Sequence, residues 1–123
     1  MKTERQSLGQ RGEELALKFL REKGYKILKT NFRYRHTELD IICRDKDTLV
    51  FVEVKSVRVP AFGSGEERIS YQKKRNIIKT AYAYLRYRPD LIGLGVRFDV
   101  VTVNFERAPA TIIHYTGAFY DTK

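Results

Sequence analysis

Residues 38–56 read ELDIICRDKDTLVFVEVKS, two apolar runs rich in β-branched residues joined by a short polar segment. That pattern spells strand, tight turn, strand, and no other stretch constrains the fold as much. Strand side chains alternate between faces, so Val52 and Val54 share one face and Glu53 and Lys55 the other. Charged side chains are rarely buried without a partner. With Lys46 and Asp47 at the tip, Asp45 faces Thr48 and Arg44 faces Leu49. Asp40 then comes opposite Glu53, and Glu38 opposite Lys55. Opposed residues have Cβ atoms only ~5 Å apart, and like charges there are destabilising. A one-residue slip would undo the pairing.

Two opposed carboxylates call for positive charge between them. Lys55 supplies part, and a divalent cation would supply more. Mg²⁺ takes one or two protein carboxylates and completes its shell with waters and phosphate oxygens. The Val54 carbonyl is a further candidate ligand. Such a cation makes a bound water nucleophilic and stabilises charge on a phosphate under attack. Lys55 is placed to orient that water or to neutralise the developing charge. The same spacing also fits an ordinary Glu–Lys pair on a half-exposed hairpin, since short motifs recur by chance.

Around the hairpin, a first helix is expected from about Leu8 to Lys23. Ser7 and Gln10 have capping-box spacing, Leu8, Leu15, Ala16, Phe19 and Leu20 form an apolar stripe, and Gly24 is a left-handed stop. YKILKTNFR reads as a strand with Tyr25, Ile27 and Lys29 on one side. The segment from Ser56 to Glu67, with Pro60, Gly63 and Gly65, reads as an exposed, mobile loop. A second helix follows from about Ser70 to Arg88, stopped by Pro89, with Ile69, Ile77, Ile78, Ala81, Tyr82 and Leu85 on its apolar face. VRFDVVTV and TIIHY are two more strands. The order αβββαββ predicts an α/β domain, one mixed sheet flanked by helices. At 123 residues the chain forms a single domain, residues 1–123.

Charge is unevenly spread. Residues 1–35 carry ten Lys/Arg against four Asp/Glu, residues 36–67 four against seven, and residues 68–88 seven basic residues and no acid. An acidic centre between basic segments suggests a polyanion partner, although a basic, well-solvated surface explains the net charge of +9 equally well. Cys43 offers no disulfide framework. No apolar run approaches a membrane span, and MKTERQSLGQ lacks the apolar part of a signal peptide, so a cytoplasmic, membrane-free setting is expected. His36 and His114 are distant in sequence, and Cys43 points away from Asp40 by strand parity, which disfavours zinc. GSGEER lacks the ending of a phosphate-binding loop. Tyr82, Tyr84 and Tyr87 either stack on bases or pack against the core.

GQRGEELALKFLREKGYKIL, NFR, ELDII, LVFVEVK, FGS, the basic second helix, RFDVVTV and IIHYTGAF occur here in one order across more than 100 residues. In that order they resemble the YraN-type family of predicted endonucleases, within the PD-(D/E)xK superfamily and similar to archaeal Holliday-junction resolvases. The resemblance implies a restriction-endonuclease-like αβββαβ core and a metal site for Mg²⁺ or Mn²⁺. It implies Asp40 and Glu53 as metal-binding acids and Lys55 as the catalytic lysine. Glu13 resembles the extra carboxylate of resolvase-type members, or is a solvent-facing helix acid. Glu38 matches the Glu of the family's GEID and would stand behind the metal ligands. Lys73 matches a basic position where phosphate contact competes with a simple solvated charge. Thr37 replaces the family's Gly, and Val57 stands where an Arg is usual, with Arg58 displaced by one. Together these readings imply a Mg²⁺-dependent endonuclease on DNA, branched DNA included, gripping phosphates through Lys73, Lys74, Arg75 and Lys79. A nucleic-acid-binding module of the same fold with little or no catalysis is the alternative, and a protein scaffold a third class. A homodimer is one candidate assembly.

Overall fold

The structure, a computed structural model, describes residues 3–60 and 69–121. Helix α1 covers Glu4–Glu22, followed by strands β1 (Lys26–Tyr34), β2 (Thr37–Asp45) and β3 (Thr48–Val57). Helix α2 (Tyr71–Tyr87) and a 3-10 turn over Pro89–Leu91 lead to β4 (Gly95–Asn104) and β5 (Thr111–Phe119). The five strands lie in one sheet in chain order, antiparallel throughout except for the parallel β3–β4 pair. Parallel neighbours need a long crossover, and α2 lies within it. The mixed sheet with flanking helices is thus as expected.

The hairpin closes as its residues require. Lys46 takes a left-handed conformation (φ 55°) at the tip, and the register runs from Asp45↔Thr48 and Arg44↔Leu49 to Ile41↔Val52. On β3, Leu49 and Phe51 enter a core with Ile77, Ile78 and Tyr84 of α2, while Val50 and Val52 enter one with Ala16 and Leu20 of α1. Alternation along the strand therefore assigns Glu53 and Lys55 to the α2 side.

Three local readings need correcting. Helix α1 starts a turn earlier than expected, because Thr3 and Gln6 form the capping box: Gln6 N–H donates to Thr3 Oγ1 (3.1 Å) and Thr3 N–H to Gln6 Oε1 (3.0 Å). Ser7 N–H already donates to Thr3 O, so Ser7 lies inside the helix. On β1 a bulge between Ile27 and Lys29 brings Lys29 opposite Ile42, away from the side of Tyr25 and Ile27. Strand β3 also runs two residues into the expected loop, since Ser56 and Val57 pair with Val103 and Asn104. The glycines of that loop lie outside the described residues. The expected stop at Gly24 is left-handed (φ 93°); at the start of α2, Ser70 caps the helix by accepting from Lys73 N–H at 3.1 Å.

Helix α1 crosses β3 at Gly12. A Cβ there would stand 1.8 Å from Ser56 Oγ and 3.1 Å from its Cβ. Gly12→Ala should therefore push α1 off β3 and destabilise by about 1–3 kcal/mol, as overpacking does. In thermal melts, the Gly12→Ala/Ser56→Gly double variant should recover most of the loss. No recovery would show that the contact is not what requires glycine.

Candidate metal centre where two strands part

Strands β2 and β3 separate just beyond the Ile41↔Val52 pair, at Asp40. On β1 the residue between the pairs Thr30↔Ile41 and Phe32↔Leu39 is Asn31, left-handed at φ 52°. A left-handed residue re-aims a strand, and here the side-chain alternation of β2 changes phase: Leu39 and Ile42 both face the α2 core, with Ile41 and Cys43 on the α1 side. Asp40 sits at that change of phase. Its Oδ2 accepts from Val54 N–H at 2.8 Å, replacing a ladder bond with a side-chain bond. N–H and C=O of one strand residue point to the same side, so the Val54 carbonyl also faces this gap.

Asp40 lines clefts on both faces of the sheet. On the α1 side it shares a cleft of ≈ 270 Å³ with Glu13, Val54 and Ser56. On the α2 side it shares one of ≈ 310 Å³ with Glu38, Lys73 and Asn76. Burial first, then the negative charge of Glu53 and that of Glu13, raise the Asp40 pKa to about 8 against the opposing hydrogen bond from Val54 N–H. Glu13 is also raised, first by burial and further by Glu38 and Glu14, although Asn31 Nδ2 donates to its Oε2 at 3.1 Å. Five acids from three elements thus feel one another at this point.

Glu53 is 13% exposed; its Oε2 pairs with Lys73 Nζ at 3.2 Å, and among the described residues its buried Oε1 has no hydrogen-bond partner. The ammonium that meets Glu53 therefore comes from α2 rather than from its strand neighbour Lys55. Lys55 is half-buried, level with Thr102 of β4. The ladder ends before Glu38 reaches Lys55, and Glu38 lies opposite Arg33 of β1 instead. Helix α1, held close by Gly12, brings Glu13 to the α1-side cleft.

Among the described residues, no three His, Cys, Asp or Glu side chains are gathered tightly enough to hold a metal ion as they stand. The donors at the gap nevertheless suit a hard cation: an unpartnered carboxylate oxygen, a second carboxyl disfavoured in its charged form by its neighbours, and a main-chain carbonyl. Asp40, Glu53 and Val54 would hold it, with Glu13 approaching from the α1 side.

The other predicted cations have different immediate neighbours. Lys74 Nζ lies 5.9 Å from the Phe119 ring centre, and Arg75 pairs with Asp121 at 3.0 Å. Lys79 opens into a cleft beside the β1–β2 turn. Tyr82, expected on the apolar face, is 44% exposed with its hydroxyl donating to Asp121, whereas Tyr84 is in the core. Thr37, where the YraN-type pattern has Gly, donates to Tyr34 O at 2.9 Å and meets Thr80 Oγ1 of α2.

A second polar cluster was not anticipated. Asp99 is fully buried; its Oδ1 accepts from Arg97 Nε and Gly117 N–H, both at 2.9 Å. Its Oδ2 meets Arg97 (3.0 Å) and His114 Nε2 (2.7 Å), and Lys23 Nζ donates to His114 Nδ1 (2.9 Å). The signal was an Asp inside an apolar strand, RFDVVTV, but its partners lie far off in sequence.

These features define an α/β protein whose strand divergence gathers acids beside a basic helix. Residues 12–103 match the sequence profile described as "Uncharacterised protein family UPF0102". A UPF0102 protein of Syntrophomonas wolfei is 46% identical over 112 residues, covering 91% of this chain and 96% of its own. One from Persephonella marina is 44% identical over 111 residues, covering 90% and 91%. The chain belongs to the UPF0102 family. Among solved structures, one titled as Pyrococcus furiosus SfsA in complex with Ca²⁺ aligns at TM-score 0.44 and 19% identity; the match covers 87% of this chain and 63% of that one. No helix among the described residues is long and apolar enough to cross a membrane.

Proposed function

We propose that the protein is a divalent-metal-dependent endonuclease of the PD-(D/E)xK kind, hydrolysing phosphodiester bonds in DNA. The observation that carries this reading is the Asp40–Glu53 pair: two adjoining carboxyls at the strand gap, one with a raised pKa and the other with a buried oxygen that finds no partner among the described residues. A fold gains nothing structurally from such repulsion. Mg²⁺ or Mn²⁺ bound there would polarise a phosphate oxygen and lower the pKa of its water. Asp40, Glu53 and the Val54 carbonyl would position it, and Lys55, on the Glu53 face, would neutralise charge on the attacked phosphate. The basic first turn of α2, with Lys73 and Lys74 at the positive end of the helix dipole, adds attraction for a polyanion.

The Lys73–Glu53 pair favours a second reading. An ammonium 3.2 Å from Glu53 supplies the positive charge a cation would, as in a nucleic-acid-binding module without catalysis. Incubating the protein with duplex, branched and single-stranded DNA in Mg²⁺, Mn²⁺ or chelator separates the two. Metal-dependent cleavage is expected, and Lys55→Ala should lower it by about 10²-fold or more while leaving Mn²⁺ affinity unchanged in calorimetry. Binding without cleavage in any metal would leave the binding module standing. A Lys55→Ala variant of full activity would move the lysine's role elsewhere.

A further inference from the structure

A cleft of ≈ 600 Å³ lies between the β1–β2 turn and α2. One wall is the turn, where Arg35 is left-handed (φ 58°). The other is a helix face bearing Lys79, Tyr82 and Arg86, spaced so that all lie on one side. Thr37 fastens the walls together through its contacts with Tyr34 O and Thr80. Among the described residues the lining includes three cationic side chains, Arg35, Lys79 and Arg86, and no acid. The Arg35 and Arg86 guanidiniums lie over the Tyr34 ring at 5.2 and 5.7 Å, and Tyr82 is 44% exposed. His36, Thr37 and Asn76 line this cleft and also the one containing Asp40 and Lys73, so the two adjoin.

We infer that this cleft seats unpaired nucleotides of a DNA strand and leads that strand to the acids. Cations serve phosphates on any DNA, but rings and guanidinium planes within a cleft serve only bases whose faces are free. A duplex hides those faces in its stack. The volume suits a nucleotide-sized ligand. The inference deepens the nuclease reading, resting on it for what the neighbouring acids do, and predicts a preference for tailed or splayed DNA over blunt duplex.

Fluorescence anisotropy in chelator would compare a blunt duplex, the same duplex with a short thymidylate tail, and one with an abasic tail of equal length. The thymidylate tail should bind about tenfold more tightly than either of the others. Tyr82→Ala should remove that gain and Tyr82→Phe keep it, since the ring and not the hydroxyl is used. Arg86→Ala should lessen it without touching the core. Equal affinity for thymidylate and abasic tails, no gain over blunt duplex, no binding to any probe, or a gain retained in both Tyr82→Ala and Arg86→Ala would overturn the inference. Repeating the series with Mn²⁺ separates it from the nuclease reading. Cleavage without tail preference removes the cleft's role alone, whereas tail preference without cleavage removes the nuclease reading alone.

Discussion

Asp40→Asn should abolish Mn²⁺ binding and lower DNA cleavage by about 10³-fold or more, yet make the metal-free protein more stable. The first two effects follow from losing a charged ligand at a site worth several kcal/mol to the attacked phosphate. The third follows from the direction of the Asp40 shift. Its pKa is raised on folding, chiefly by burial and then by the Glu53 charge, from the ordinary 3.8 to about 8. The folded state therefore holds a proton that the unfolded state has released, and wild-type stability falls as pH rises between those values. Asparagine carries no charge to lose. In chelator at pH 9 it should melt several degrees higher than wild type, a gain of about 1–2 kcal/mol. Glu53→Gln should also end metal binding, with a smaller gain because it gives up the Lys73 pair, whose lysine is half-exposed. Destabilisation of the metal-free protein by both substitutions would mean that the acids serve the fold. Undiminished Mn²⁺ binding in both would refute the metal centre.

Asp99→Ala should be the most damaging single change to stability, at about 3–5 kcal/mol, since it strands donors of Arg97, His114 and Gly117 that converge on one fully buried carboxylate. Arg97 retains Tyr25 Oη at 2.8 Å and Asp45 at 3.5 Å, which favours the lower end of that range. Burial alone would raise the Asp99 pKa, but hydrogen bonds from His114, Arg97 and the Gly117 amide hold it below 3.8. A depressed carboxyl contributes its full stability above its unfolded pKa and loses it as pH falls through the folded one. Melts of wild type and Asp99→Ala should therefore differ widely at pH 7 and draw together towards pH 3. A gap that is constant with pH would assign the loss to packing rather than to the ionised carboxylate.

Much of the fold was legible because its cues are local. Alternation along residues 38–56 and a tip at Lys46–Asp47 suffice to set the hairpin register. Helical spacing, Gly24 and Pro89 suffice for the body of both helices. The errors were also local: a capping box one turn early, and a bulge at Leu28, where one extra residue reverses a face without altering composition. The acid pair was readable because Asp40 and Glu53 come next after Ile41↔Val52 on the two strands, although the ladder stops there and does not pair them.

What the sequence by itself determined is therefore the hairpin up to Ile41↔Val52 and the two faces of β3. The tertiary structure decided how β2 and β3 part at Asp40, that Lys73 rather than Lys55 reaches Glu53, and that α1 carries Glu13 to the gap. It also decided that Thr37 and α2 close a basic cleft beside it, and that His114 and the exposed Lys23 join a network around the buried Asp99. Turn chemistry and periodicity act over a few residues and are written where they act. Contacts between Glu53 and α2, or between Lys23 and His114, depend on how whole elements pack across the sheet, and neither partner carries a local mark of the other.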